Sequence, residues 1–366
     1  MEELIQNILG NLFKPLLLFF YLGLLIPLLR VPFEFPKAVY QALTMYLLLA
    51  IGWHGGQELA GLGSEELVDA AGLMVLGFCT NLTIGVICYG VLRRMTALRA
   101  IDAATVAGYY GSDSAGTFVT CVGVLGAMKI GYASYMPVML AVMEIPGCLL
   151  ALYLVARLRR REMDAAGNLP SEPGHDPSSV VKADPDERVL DGEMLREVFL
   201  NPGLYLLFGG IVIGFVGRIQ GEQVVAADNV VFVQLFHGLL CLFLLEMGIT
   251  AARRFADLRT AGLGFIAFAL IMPPLLGTFG CLVLHAYSGI TGASFEVGTY
   301  ALFAVLCAAA SYIALPAVQR TAIPEASPTL PLAASLGVTF TFNVTLGIPI
   351  YLQVASWLLA PEVGLR

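Results

Sequence analysis

The chain has 366 residues, of which 58% are hydrophobic and only 13% charged, with a mean hydropathy of +0.81 and a net charge of −7. Soluble domains carry about a quarter charged residues, so a water-soluble enzyme is excluded. The apolar runs are about 20 residues long, the length that spans a hydrocarbon core, whereas a membrane barrel would show alternating segments of about ten. No basic block stands outside the short loops, which excludes nucleic acid as a partner.

The first residues, Met1 to Asn7, lack the basic region and cleavage site of a signal peptide, so the first span is expected to be retained. Ten spans follow in chain order, over 11–29, 37–53, 69–92, 103–127 and 135–156, then 200–218, 229–250, 261–285, 297–318 and 329–358. The expected fold is an all-α polytopic membrane protein. Residues 1–160 form a first five-helix repeat and 199–366 a second. The polar segment 161–198, rich in Pro, Asp, Glu and Ser, divides them as a flexible cytoplasmic linker.

Basic residues gather at Arg30/Lys37, Arg93/Arg94/Arg99, Arg157–Arg161, Arg253/Arg254/Arg259 and Arg320, which are alternate loops. The Lys/Arg rule makes those loops cytoplasmic and places both termini outside, in the periplasm if the membrane is a bacterial inner membrane. Five spans per half force the second half to run in the reverse sense. Local text repeats as well: Ile51 to Gly56 ends span two as Met247 to Ala252 ends span seven, and Glu144-Ile145-Pro146 answers Gly347-Ile348-Pro349.

Two spans are interrupted in corresponding places. Span four carries Gly108 to Thr117, with three glycines and Ser112, Asp113, Ser114 and Thr117; span nine carries Ala308 to Pro316, with Ser311 and Tyr312. Paired broken spans in two halves mark the binding site of a secondary transporter. Each break exposes half-helix ends that bear about half a charge; N–H ends suit an anion and carbonyl ends suit a cation. Asp113 is the sharpest residue, because a carboxylate at that depth costs at least about 2.5–3.5 kcal/mol and faces a pathway. It reads as a sodium ligand, a proton carrier or a cap on the half-helix that follows. Glu144 reads equally as ligand or as structural hydrogen-bonder. Thr339, Thr341, Asn343 and Thr345 put polar atoms into span ten, for which cross-helix hydrogen bonds are the plain reading.

The seven cysteines lie in or beside spans with no Cys-x-x-Cys spacing, and read as packing residues. His54, His237 and His285 lack metal-ligand spacing, so no transition-metal site is expected. Hydrolase, nucleotide-binding and zinc-protease motifs are missing from the text, and Asp113 has no deep aspartate partner, so the chain is not expected to be an enzyme.

The ordered text from Ile101 to Thr117, continuing to Met143-Glu144-Ile145-Pro146, with Ile51 to Gly56, Met247 to Thr250 and Ser311 to Pro328, resembles the sodium-dependent bicarbonate transporter family. The likeness runs over nearly the whole chain. It implies ten helices as a five-plus-five inverted repeat, two broken helices crossing near the midplane, and core and gate domains. It also implies sodium-coupled bicarbonate uptake across the cytoplasmic membrane, a homotrimer and a PII-like cytoplasmic regulator. The coupling ion is then sodium, and no organic cofactor is implied. Carried over to this chain, the anion site falls on Gly111, Ser112, Ser114, Gly116 and Thr117, with Ala310, Ser311 and Tyr312 opposite; the sodium set is Asp113, Ser112, Glu144 and Asn343. One departure stands out. Better-known members carry serines and an aspartate where this chain has Ala308-Ala309-Ala310-Ser311-Tyr312, and Asp113 adds a carboxylate in the first break. Two readings follow: the acidic group has moved across the site, or the coupling ion or anion differs. A carrier of another small anion, proton- or sodium-driven, and a non-transporting membrane sensor are the rival functions.

Overall fold

A computed structural model describes residues 13–180, 196, 200, 202–255 and 262–360. The start of the first expected span, most of 181–201 and Arg259 lie outside the described residues. Within them the chain is helical, with one isolated bridge between Asp164 and Val180. In chain order the helices are α1 (Pro15–Leu28), α2 (Lys37–Leu59), α3 (Ser64–Met95), α4 (Ala100–Tyr110), α5 (Ala115–Met128) and α6 (Met136–Arg159). Then come α7 (Pro202–Gln220), α8 (Glu222–Asn229), α9 (Phe236–Arg254), α10 (Leu263–Thr291), α11 (Val297–Ala308), α12 (Ala314–Ala322), α13 (Thr329–Leu332) and α14 (Ile348–Leu359).

Every expected span falls on a helical element, and six stretches are long and apolar enough to cross a membrane: Val68–Met95, Met136–Arg159, Pro202–Gln220, Glu222–Arg254, Leu263–Thr291 and Thr329–Leu359. The chain is a multi-pass membrane protein. α1 is shorter, 14 residues or about 21 Å at 1.5 Å per residue. Spans four and nine are each two helices, α4/α5 and α11/α12, separated by non-helical residues at both expected breaks.

Two helix pairs pack through small residues. Gly52 and Gly56 of α2 face Gly210 and Gly214 of α7, where a methyl group on any of the four would run into the opposite backbone. Gly23 of α1 and Gly248 of α9 meet in the same way. Without a hydrophobic drive between helices in lipid, close backbone approach supplies the dispersion contact that joins them. The pairings exchange the halves: α1 lies on α9, and α2 lies on α7.

The remaining helices pack on one another, and span ten packs on α9 as well. α6 packs on α3 and α4, and span ten packs on α10 and α11. Prolines inside α6 and α10 leave carbonyls without their helical donors, and at one of them in α10 span ten supplies a replacement. Pro273 has no N–H for the Ala269 carbonyl, and the Thr339 hydroxyl lies 3.4 Å from it; the Tyr351 hydroxyl, shared with Asn343, stands 3.0 Å from the Pro273 carbonyl. Span ten is not one regular helix. It widens into π turns over Ala333–Phe340 and Asn343–Gly347, an insertion found often at functional sites.

Of the cysteines, Cys88, Cys121, Cys148, Cys241, Cys281 and Cys307 are buried, as packing residues should be, whereas Cys79 is exposed on α3. The segment after α6 departs more clearly from expectation. Residues 163–180 are folded against the helices: Met163 and Asp164 are fully buried, and Asn168 and Leu169 nearly so. Asp164 accepts from the Asn168 and Asp176 backbone amides at 2.7 and 2.9 Å, which closes the loop on itself despite its polar composition.

Candidate functional site

The two breaks cross. α5 runs beside α11 and α12 beside α4, and the Ser311 amide donates to the Tyr109 carbonyl at 2.8 Å. The chain leaves α4 at Gly111, where a Cβ would stand tightly, 3.0 Å from Gly85 and 3.2 Å from the Asn81 carbonyl of α3. Ser114 then caps α5, accepting from the Thr117 amide at 3.3 Å and hydroxyl at 3.0 Å. Ser311 takes the parallel role in the second break, accepting from the Leu315 amide at 3.3 Å. These are the hydroxyl caps that half-helix starts require.

Ser112, Asp113 and Ser114 are all buried, with Asp113 at 0% exposure. Ser112 donates to the Glu144 main-chain carbonyl at 2.7 Å, just ahead of Pro146. The Glu144 side chain sits beside Asp113 and the Ser311 hydroxyl. Neither Asp113 oxygen has a hydrogen-bond partner. A buried carboxylate without donors is costly by several kcal/mol, so its place at the crossing demands a cation or a proton. Asp113 is not the cap; Ser114 is.

Tyr312 enters from the second break. Its ring stands edge-on to Phe340 at 5.5 Å, its hydroxyl approaches Ser114, and that hydroxyl makes no hydrogen bond of good geometry. Gly116 leaves the space for it, since a Cβ there would overlap the Tyr312 oxygen. The orphan hydroxyl and the first amides of α5 therefore lie together, a donor set suited to an anion's oxygens. Ala310 is buried in the second break.

Asn343 reaches the second break from behind. Its amide donates to the Ala308 carbonyl at 2.9 Å, and its oxygen accepts from Tyr351 at 2.9 Å. Both functional groups are thus engaged in holding the end of α11. Sequence reading overlooked Asn81, which is fully buried on α3. Its amide nitrogen donates to the Met143 carbonyl at 2.9 Å, which fixes the orientation of an amide oxygen that has no partner. A single polar residue inside an apolar run gave no periodic signal. Tyr109 and Gln319 were overlooked as well; their side chains share a 2.7 Å bond between α4 and α12.

Recesses flank the crossing. One of about 220 Å³ lies between the α4 and α12 arms, lined by Tyr109, Pro316, Gln319 and Leu332. Another of about 120 Å³ is lined by Phe118 and Val122 of α5 and by Ile51, His54, Phe232 and Phe236. Asp113 lines neither.

A family model described as the Na+-dependent bicarbonate transporter superfamily matches residues 15–356. The chain belongs to that superfamily. The match takes in both broken spans, Asp113, Glu144 and Asn343, and makes the protein a membrane transporter. No curated protein matches the chain.

Proposed function

We propose that this superfamily member is a sodium-coupled importer of bicarbonate that works by alternating access in a bacterial cytoplasmic membrane. The observation that carries the reading is Asp113, fully buried at the crossing of the breaks with neither oxygen partnered. Membership of a Na+-dependent superfamily supports sodium as the cation that would satisfy it. Sodium is a cargo ion here, held by Asp113 with Ser112, Glu144 and the unpartnered Asn81 oxygen as neighbouring acceptors. The anion then meets the Tyr312 hydroxyl and the α5 amide at Gly116, with Thr117, Ser114, Gly111, Ala310 and Ser311 shaping the space.

Coupling follows from charge. At 4 Å two like charges repel by roughly 4 kcal/mol in a semi-polar setting, so a bare Asp113 rejects the anion and a cation-loaded one admits it. Acceptors on one side and donors on the other keep the two ions adjacent without exchange of place.

The exchanged helix pairings support a five-plus-five inverted repeat of ten spans: α1 on α9 and α2 on α7 map onto each other when the halves are swapped. They also support a gate of α1, α2, α7 and α9 against a core carrying both breaks. The Lys/Arg distribution supports an inside linker and outside termini. A homotrimer and a PII-like cytoplasmic regulator remain what the family resemblance implies. A second reading, a proton-coupled carrier of a short carboxylate, draws on the adjacency of Asp113 and Glu144, because two neighbouring buried carboxylates share one proton readily.

The test is labelled uptake into proteoliposomes under an inward sodium gradient, with potassium in place of sodium as control and unlabelled anions as competitors. Sodium-dependent accumulation competed by bicarbonate supports the first reading. Accumulation driven by a proton gradient and competed by short carboxylates supports the second. No flux with retained ligand binding identifies a sensor.

A further inference from the structure

The folded strap after α6 is tied to the inner ends of both broken spans. The Arg99 side chain makes no cap to α4; the Ala100 amide instead donates to Glu172 of the strap at 2.6 Å. The other Glu172 oxygen takes the Leu169 amide at 2.9 Å, and Arg93 stands 3.4 Å from the first. Arg99 reaches the strap carbonyl of Ala166 at 2.6 Å, grips Asp102 through two nitrogens at 2.7 and 3.1 Å, and touches the Glu325 carbonyl at 3.3 Å.

The loop that follows α12 closes the circuit. Its Ser327 amide donates to Asp102 at 2.8 Å, and its Glu325 carboxylate is held by Arg159 of α6 through contacts of 3.0 and 2.9 Å. Arg159 also donates to the Ala322 carbonyl at the end of α12, at 2.8 Å. Gly167, at φ +87°, lets the strap pass against Glu325 and Ile101 where a side chain would be strained.

All 11 residues of α4 are buried among other parts of the protein. Its register is therefore set from outside. A carboxylate at its first turn suits the positive end of its dipole, and that carboxylate comes from the segment joining the two halves. We propose that the strap is a positioning element of the transport site, in which Glu172 is the external cap of α4. Through Arg99 and Asp102 the cap holds α4 in register with the loop after α12, so the residues that α4 and α12 deliver to the crossing stay aligned. The strap travels with the two broken spans as part of their body. Its effect on ion binding rests on the sodium-coupled reading; its effect on α4 does not.

The experiment compares wild type, Glu172→Ala and Glu172→Gln in liposomes and by hydrogen exchange. Losing a cap predicts about a fivefold rise in the half-saturating sodium concentration for Glu172→Ala, with the maximal rate within about twofold of wild type. Exchange in 100–110 should quicken, and Glu172→Gln, which keeps one acceptor oxygen for the Ala100 amide but loses the charge and the acceptor for the Leu169 amide, should fall between wild type and alanine in both. A merely structural defect would instead lower the maximal rate at unchanged half-saturation, and that pattern overturns the proposal. So do unaltered exchange in 100–110 and a Glu172→Gln defect as large as that of alanine. Should the alanine variant not be recovered, Glu172→Ser, too short to reach the Ala100 amide, takes its place. If wild type shows no sodium dependence, the transport reading fails while the exchange comparison still decides the role of the strap.

Discussion

The Tyr312 hydroxyl lies where a β-carbon on Gly116 would be, so one break contributes the space and the other the oxygen that fills it. The two breaks meet by shape as well as by the Ser311-to-Tyr109 hydrogen bond. The chain's departure from the better-known second-break text acquires a physical sense here: an aromatic hydroxyl in the second break is matched to a glycine in the first.

Gly116→Ala should abolish or sharply slow uptake, because a methyl there forces Tyr312 off its rotamer, at a cost of about 1–3 kcal/mol. Gly116→Ala with Tyr312→Phe should recover part of the stability, as the phenyl ring withdraws the overlapping oxygen. Tyr312→Phe alone should weaken anion affinity by up to about tenfold, the worth of one hydrogen bond. Uptake kinetics and thermal melting of the three variants check this together.

Asn343→Leu removes the donor to the Ala308 carbonyl and the acceptor for Tyr351. The stranded Ala308 carbonyl costs about 1–3 kcal/mol, while Tyr351 keeps the Pro273 carbonyl as an acceptor, so the expected outcome is a lower melting temperature in detergent. Sodium half-saturation should change less than it does for Asp113→Asn, because Asn343 has no unspent oxygen at the crossing.

At Gly214 of α7, alanine would place a methyl into the Trp53 carbonyl of α2. Separation of that pair should cost a few kcal/mol in the balance of helix packing. Melting temperature should fall, with Gly209→Ala, a position with open space around it, as the neutral control.

The strap carries its own pH signature. Backbone amides from Asn168 and Asp176 hold the Asp164 carboxyl down to about 2, below its ordinary value of 3.8. A group depressed on folding adds stability above its unfolded value and loses it as pH falls through the folded one. The strap should therefore keep its exchange protection down to about pH 4 and lose it toward pH 2, whereas Asp164→Asn should loosen residues 163–180 already at neutral pH. Hydrogen exchange across a pH series reads both.

The breaks were legible because three glycines with Ser112, Asp113 and Ser114, and Ser311 with Pro316, interrupt otherwise apolar helical runs. Helices end at Tyr110 and Ala308 and resume at Ala115 and Ala314, inside the expected windows. Span ends were legible less well. α2 continues to Leu59 and α3 starts at Ser64, since polar residues beyond the apolar stretch still complete helical turns. The strap was illegible because its Pro, Asp and Gly content matches that of a disordered segment, and only long-range partners such as the Ala100 amide reveal the fold. Asn81 and the π turns of span ten escaped for the same reason: their meaning lies in which carbonyls of neighbouring helices they face.

Sodium-gradient-driven bicarbonate uptake by Asp113→Asn beside wild type tests the central claim most directly. The account predicts sodium-dependent accumulation by wild type and its loss in the asparagine variant, with the folded protein recovered in equal amount. Retention of full sodium dependence by Asp113→Asn would contradict it, because the carboxylate at the crossing would then not be the group that binds the driving ion.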